Sequence, residues 1–194
     1  MTPAYRRLLK VSRIVHVYLT LFGLVLILLF AVTGFMLNHE DWFLPTEPHT
    51  RTAEQTLPTG VLNPVDKFEV VEALRREFAI AGAVNTFRAD DESVEVEFLR
   101  PGGRTVAEVR RETGVAVVTF ETRGWAGVLT DLHKGKSAGR AWGLVIDGVC
   151  GLLLAISTTG LVLWWSLKAR GKWGAAAMIL GGALAGAIYY WLVP

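Results

Sequence analysis

The chain has 194 residues, of which 52% are hydrophobic and 20% are charged, and its mean hydropathy is +0.37. This balance is too apolar for an ordinary soluble domain and too charged for a protein made only of membrane spans, so it predicts a membrane part joined to a water-facing part. The composition excludes a disordered protein, and the single cysteine, Cys150, excludes an intrachain disulfide and a multi-cysteine metal or iron–sulfur site.

Charge is distributed unevenly along the chain. Residues 38–140 contain 17 of the 18 acidic residues against 13 lysines and arginines, whereas residues 6–13 and 168–172 contain only cations among their charged side chains. The basic segments are short and flank apolar runs, so they indicate membrane topology and not a nucleic-acid-binding patch. We therefore expect the protein to contact membrane lipid and to have no nucleic-acid partner.

Three long apolar runs predict three transmembrane helices. The first, residues 17–37, has 21 residues without a charge. It would be about 31 Å long at roughly 1.5 Å per residue, which matches the hydrocarbon core of a bilayer. The runs at 142–165 and 174–193 are similar in length. The predicted organisation is a cytoplasmic N-terminus with the first span (1–37), an extracytoplasmic domain (38–140), a second span (141–165), a cytoplasmic loop (166–173) and a third span (174–194).

The orientation follows from the basic flanks, because lysine and arginine next to spans favour the cytoplasmic side. This rule places the N-terminus inside, residues 38–140 outside and Pro194 outside. Six tryptophans agree, since tryptophan prefers the headgroup level: Trp42, Trp142 and Trp191 fall at the outer boundary and Trp164, Trp165 and Trp173 at the inner one. For a bacterial chain this means the inner membrane, with residues 38–140 in the periplasm.

The external segment predicts a small α+β unit. Residues 47–60 are polar without an apolar period and are interpreted as a loop. Asn63 and Pro64 suit the N-cap and first position of a helix that ends near Gly82. Three or four short strands follow, with alternating apolar residues at 94–98, 106–109 and 115–120. Helical spacing returns at 125–136, which predicts an interfacial helix before the second span.

Histidines are the residue type best placed for chemistry. His16 and His39 are 23 residues apart, about 34 Å along a straight helix, so they lie at opposite ends of the first span and cannot share a ligand. His39 and His133 lie on the same outer side, where two imidazoles from neighbouring helices could bind a six-coordinate b-type haem iron. The alternative is that these histidines only anchor helices at the interface, and position alone leaves the two interpretations about level.

Other candidates are weaker. Gly34, Gly143 and Gly148 would give a macrocycle room near the backbone. His49, with the acidic residues after His39, could supply ligands to zinc or copper, but such groupings are common in solvated loops. Asp147 inside the second span is costly if ionised, so it either orients a ligating imidazole or pairs with Arg140.

Several of these segments together resemble the PepSY-associated transmembrane proteins of bacteria. The resemblance rests on His16, on the sequence T-G-F-M-L-N-H ending at His39, on D-L-H-K-G around His133, and on T-G-L-V-L-W-W from Thr159. It implies an inner-membrane protein with a small PepSY-like external domain, although the larger reductases of the family have more spans and more histidines than this chain. It also implies b-type haem bound through histidines that correspond to His16, His39 and His133, and electron transfer to a periplasmic acceptor such as a ferric siderophore or a redox carrier.

The favoured hypothesis is therefore an inner-membrane haem b protein that passes electrons outward, with His39, His133 and His16 as candidate ligands and Asp147 as a candidate orienting group. The alternative is a cofactor-free structural or assembly subunit that binds a larger membrane complex through its PepSY-like domain. Whether the chain is an oxidoreductase subunit, and whether it forms a homo-oligomer through the close-packing Gly182 and Gly186, both stay open.

Overall fold

The computed structural model describes residues 2–167 and 171–194. Part of the predicted loop 166–173, including two of the cations used for the topology, Lys168 and Arg170, lies outside these residues. The chain forms two compact units, one of Met1–Ile27 with Asp147–Pro194 and one of Leu28–Ile146.

The helices are α1 (Pro3–Asn38), α2 (Glu40–Phe43), α3 (Lys67–Phe78), α4 (Gly124–Lys134), α5 (Gly139–Trp165) and α6 (Gly171–Leu192). The strands are β1 (His49–Thr56), β2 (Ala83–Ala89), β3 (Ser93–Arg100), β4 (Gly103–Arg110) and β5 (Val115–Thr122).

Helices α1, α5 and α6 are long and apolar enough to cross a membrane, with 36, 27 and 22 residues. They confirm the three predicted spans by length and composition. Helix α1 begins well before Val17 because the basic segment at its start contains no helix breaker after Pro3, and proline is favoured in the first helical turn. At about 54 Å, α1 is longer than a hydrocarbon core.

The five strands form one antiparallel sheet in the order β1-β5-β4-β3-β2. Strands β3, β4 and β5 are the alternating segments predicted from the sequence, and their inward residues form the core with α3. Fully buried members of this core include Val70, Leu74, Val96, Phe98 and Val118. The water-facing unit is thus the predicted α+β domain, in which one sheet face is buried by a helix.

The interpretation of residues 47–60 as a loop is wrong, because His49–Thr56 forms strand β1. Its residues pair with β5 along the whole strand, from His49 opposite Thr122 to Thr56 opposite Val115. All of β1 except Ala53 is exposed, so the strand has no apolar alternation to reveal it. Its conformation comes from hydrogen bonding to the neighbouring strand.

The start of α3 also differs from the prediction. The N-cap is Asp66, whose side chain accepts hydrogen bonds from the backbone N–H groups of Phe68 and Glu69. A carboxylate that accepts two backbone N–H bonds satisfies more of the helix end than Asn63 could three residues earlier. Phe68 is 74% exposed, because at 3.6 residues per turn it lies about 120° around the helix from the buried Leu74.

Candidate functional site at the membrane histidines

The D-L-H-K-G segment at the end of α4 is fixed by contacts of all five residues. Asp131 accepts hydrogen bonds from the backbone of Gly102, at 2.8 Å, and from Arg123, at 2.9 Å. The Leu132 carbonyl accepts from the Trp142 indole N–H at 2.7 Å.

Beyond His133, Lys134 and Gly135 complete the segment. Lys134 forms a salt bridge with Glu40 at 2.9 Å. Gly135 ends α4 in the left-handed conformation (φ 69°), which favours glycine. The segment therefore holds His133 on a rigid helix end.

His133 lies directly against helix α1. Its Nδ1 atom is 2.7 Å from the hydroxyl of Thr33, which is 2% exposed. A Cβ at Gly34 would lie 3.2 Å from Cε1 of the ring, so a larger residue there would push the imidazole away. The Phe30 ring, with its centroid 5.2 Å from that of His133, covers another side.

The hydrogen bonds assign the tautomer of this ring. The single hydroxyl hydrogen of Thr33 is donated to the Leu29 carbonyl at 2.7 Å, so its oxygen accepts the Nδ1–H of His133. The lone pair of His133 is then on Nε2. Within the described residues Nε2 has no hydrogen-bond partner and is not fully enclosed. A neutral imidazole with Nδ1–H bonded and Nε2 free is the form that binds metals.

His16 has the same arrangement in the other unit. Its Nδ1 lies 3.0 Å from the Ile156 carbonyl and 3.1 Å from the Thr159 hydroxyl. Since a carbonyl can only accept, Nδ1 must hold the hydrogen and the lone pair is on Nε2. A Cβ at Gly160 would lie 3.3 Å from Cε1 of the ring. Each histidine thus rests on a Thr-Gly pair, Thr159-Gly160 here and Thr33-Gly34 at His133.

His39 directly follows α1 and is held by aromatic contacts. Its ring stacks on Trp42, with centroids 4.1 Å apart and planes 16° from parallel, and Phe35 lies 4.6 Å away. Stacking engages the ring face and leaves both nitrogens at the edge. The next residue, Glu40, makes the salt bridge to Lys134. The chain segments that hold His39 and His133 are therefore in contact.

Two other predicted residues stand apart. His49 is exposed on strand β1, and the described residues contain no group of three or more metal-ligating side chains. Asp147 is exposed on α5, and the group that orients the His133 ring is Thr33. The orienting and Arg140-pairing roles of Asp147 stay predictions.

Space around the candidate ligands is unequal. The cavity between His133, Thr33 and the neighbouring apolar side chains has a volume of only about 10 Å³, no more than one water needs. Gly34 packs against the His133 ring, so the prediction that this glycine leaves room for a macrocycle is wrong. Gly143 and Gly148 do face open space, since no described atom lies within 4 Å of where a Cβ would stand. A planar cofactor would have to approach the histidine from outside the packed contact.

Thr33 and Asp131 shape the candidate site, and neither is a predicted site residue. Thr33 fixes the ring nitrogen that is available, and Asp131, 4% exposed, joins α4 to the β3–β4 turn. At that turn Gly102 has a φ of 69°, and a Cβ there would lie 2.6 Å from the Val128 backbone nitrogen. No local sequence pattern identifies Thr33, because its partner His133 lies 100 residues away in the chain.

The comparisons with known proteins agree with this architecture. The family model described as PepSY_TM-like matches residues 9–194, which is nearly the whole chain. The chain belongs to this family. No curated protein and no solved structure matches it. The PepSY_TM-like assignment, with three membrane-spanning helices and a small α+β domain, confirms the resemblance inferred from the sequence and identifies a membrane protein.

Proposed function

We propose that this PepSY_TM-like protein binds b-type haem through His133 and His39 and passes electrons to an acceptor outside the membrane. The observation that supports this best is the ring state of His133. Its Nδ1 is bonded to Thr33, and its Nε2 has no hydrogen-bond partner among the residues that the structure describes. A fixed imidazole with a free Nε2 is what an axial iron ligand requires.

His39 is the proposed second ligand. The Glu40–Lys134 salt bridge holds its segment against the segment of His133, and the stack on Trp42 limits rotation of the ring. When bound, haem supplies one-electron chemistry, and the protein sets its potential through the axial ligands and their hydrogen bonds. The residues of this chain orient the two rings, through Thr33 at His133 and Trp42 at His39, and Phe30 covers one side of the His133 ring.

His16 is the third proposed ligand, because its Nδ1 is bonded in the same way. Among the described residues no other histidine lies in its unit. A six-coordinate iron at His16 would need its second ligand from another copy of the chain or from a different residue type.

The proposed setting is the bacterial inner membrane, with the N-terminus cytoplasmic and residues 38–140 periplasmic. The cationic N-terminal flank of the first span supports this orientation. The test is labelling of a cysteine placed at Asp90, in a Cys150→Ser background, with a reagent that does not cross membranes. Labelling in intact spheroplasts is expected, and labelling only after lysis would overturn the orientation.

The decisive experiment is a reduced-minus-oxidised absorbance spectrum of the detergent-purified protein, with a pyridine haemochrome assay to count haem per chain. A Soret band and a sharp reduced α-band are expected. His133→Ala and His39→Ala should each remove most of the haem, whereas His49→Ala, which changes an exposed histidine on β1, should not. Full haem content in both of the first two variants would refute the ligand assignment.

A cofactor-free structural subunit is the second candidate function. The observation that favours it is the close packing of His133 on α1, with a cavity of only about 10 Å³ beside it. In that case the two Thr-Gly/histidine contacts would serve as polar links between helices in lipid. A protein that stays colourless when haem is supplied during expression would support this candidate over the first.

A further inference from the structure

A cleft of about 190 Å³ lies beside the β3–β4 turn, where the end of α4 meets the sheet. Its charged lining consists of four cations, Arg100, Arg104, Arg123 and Lys136, and two carboxylates, Glu121 and Asp131. The cleft is therefore net positive. It lies in a segment, residues 38–140, where acidic residues outnumber basic ones by 17 to 13.

Both carboxylates of the cleft lie beside an arginine, although Arg104 is shared between Glu121 and Glu97, so the cleft together with Glu97 has a net charge of +1. Asp131 is bonded to Arg123, with 2.9 Å from Nη2 to each carboxylate oxygen, and to the Gly102 backbone. Glu121 lies 3.9 Å from Arg104, whose guanidinium also binds Glu97. Hydrogen bonds from Asn85 and Arg104 hold the pKa of Glu97 below its ordinary value, so this carboxylate is ionised and engages Arg104.

Arg100 and Lys136 are the two cations of the cleft that have no ion-pair partner among the described residues. Neither side chain forms a salt bridge or hydrogen bond with any residue that the structure describes. Their backbones are nevertheless fixed, because Arg100 pairs with Gly103 in the hairpin and the Lys136 N–H donates to the Asp131 carbonyl at 2.8 Å. Two cations that have no partner among the described residues thus line one concave surface, where positive charge exceeds negative charge by one when Glu97 is included.

We propose that this cleft binds an oxyanion, the phosphate or carboxylate group of a ligand, between Arg100 and Lys136. An arginine fork and a lysine ammonium are the side chains that bind such oxygens most strongly. The volume is below the roughly 300–1,000 Å³ typical of sites for whole drug-sized ligands. The cleft therefore holds one anionic group or a small organic acid, and any larger remainder of the ligand stays outside.

The anion has two possible sources with the same chemistry. One source is the phosphate of a phospholipid headgroup, because Lys136 and Ser137 lie just before α5, one of the membrane-spanning helices. A free phosphate or small carboxylate in the water-facing compartment is the other source. The inference does not depend on haem, since no residue of the cleft is a proposed ligand.

The test uses the full-length protein in a non-ionic detergent and isothermal titration with inorganic phosphate and with citrate. Saturable binding that weakens as salt is raised is expected. Arg100→Gln with Lys136→Gln should weaken it at least about tenfold, because each removed group makes a charge-assisted hydrogen bond. The matched control is Arg88→Gln with Arg110→Gln, which removes two cations of the same unit that do not line the cleft. It should change affinity less than about twofold.

A second arm distinguishes the lipid source. Protein reconstituted from mixed lipids should retain phosphatidylglycerol over phosphatidylcholine on repurification, and the Arg100/Lys136 double variant should lose this preference while the control keeps it. Binding of free anions identifies a soluble ligand, and lipid retention alone identifies a headgroup. Neither effect, or equal losses in both double variants with unchanged melting temperature, would overturn the proposal. Haem content measured on the same samples tests the proposed function separately.

Discussion

Replacing Thr33 by valine tests the contact on which the candidate site depends. Valine keeps the branched shape of threonine but removes the hydroxyl that accepts Nδ1–H of His133 at 2.7 Å. Thr33 is 2% exposed, so water cannot replace the lost acceptor. The ring then loses both its orientation and the bond that fixes its tautomer.

The expected losses of haem affinity and of stability can be estimated from the hydrogen bond that Thr33→Val removes. An orienting partner of a metal ligand is worth about tenfold to a hundredfold in affinity, which is about 1.4 to 2.8 kcal/mol. Leaving a buried donor without a partner costs a similar amount, about 1–3 kcal/mol. Polar contacts between membrane helices average only about 0.6 kcal/mol in double-mutant cycles. We therefore expect haem affinity to fall by about tenfold or more, and the free energy of unfolding to fall by about 1 kcal/mol.

The assay is a haem titration followed by Soret absorbance, together with thermal unfolding of the haem-free protein. Thr33→Ser, which retains the hydroxyl, should stay close to the wild type. Thr158→Val is the matched control, because that hydroxyl bonds only the Leu154 carbonyl within its own helix. In a His133→Ala background the Thr33 effect should disappear. The reasoning fails if Thr33→Val binds haem as tightly as the wild type and unfolds at the same temperature, or if Thr158→Val loses as much.

Three further outcomes are expected. Asp131→Asn should lower the free energy of unfolding by about 2 kcal/mol, because it removes the charge from hydrogen bonds to a buried carboxylate while Arg123 stays partly solvated. Glu40→Gln, in an exposed pair, should cost less than about 1 kcal/mol in the same denaturation assay. Hydrogen bonds lower the folded-state pKa of Glu97, so the stabilisation by this carboxylate is complete above its ordinary pKa of 4.5 and is lost as the pH falls below it. The difference in unfolding free energy between the wild type and Glu97→Gln should therefore shrink on acidification. A difference that does not change with pH would contradict this. Gly34→Val should displace the histidine ring and reduce haem content, while Gly143→Val, which faces open space, should not; equal haem in both would show that the ring contact is not required.

The local elements that the sequence predicted correctly are those whose burial repeats with a regular period. Strand β3 alternates Val94, Val96 and Phe98, which are all buried, with the half-buried Glu95 and Glu97. The membrane helices were equally evident, because about 20 apolar residues without a charge have few other stable arrangements. Strand β1 was missed because its side chains are exposed on both faces and only pairing with β5 makes it a strand.

The sequence likewise predicted only part of the candidate site. Sequence position placed His39 and His133 at helix ends, where the structure brings their neighbours Glu40 and Lys134 into contact. It did not identify Thr33, which is 100 residues from His133 in the chain. A hydrogen bond over that separation depends on which helices pack together, and no local pattern encodes it.

By itself, the sequence determined that this is a three-span membrane protein with a small α+β domain and histidines next to its spans, because hydropathy and alternation are local properties that each segment must satisfy alone. Only the tertiary structure decided which ring nitrogen of His16 and of His133 is bonded, which glycine contacts which ring and which cations among the described residues have no partner. These contacts form only when the chain folds, because in each histidine contact the partner lies 100 or more residues away. The Thr33 hydroxyl, the Ile156 carbonyl and the Asp131 carboxylate each determine which group of their partner is bonded.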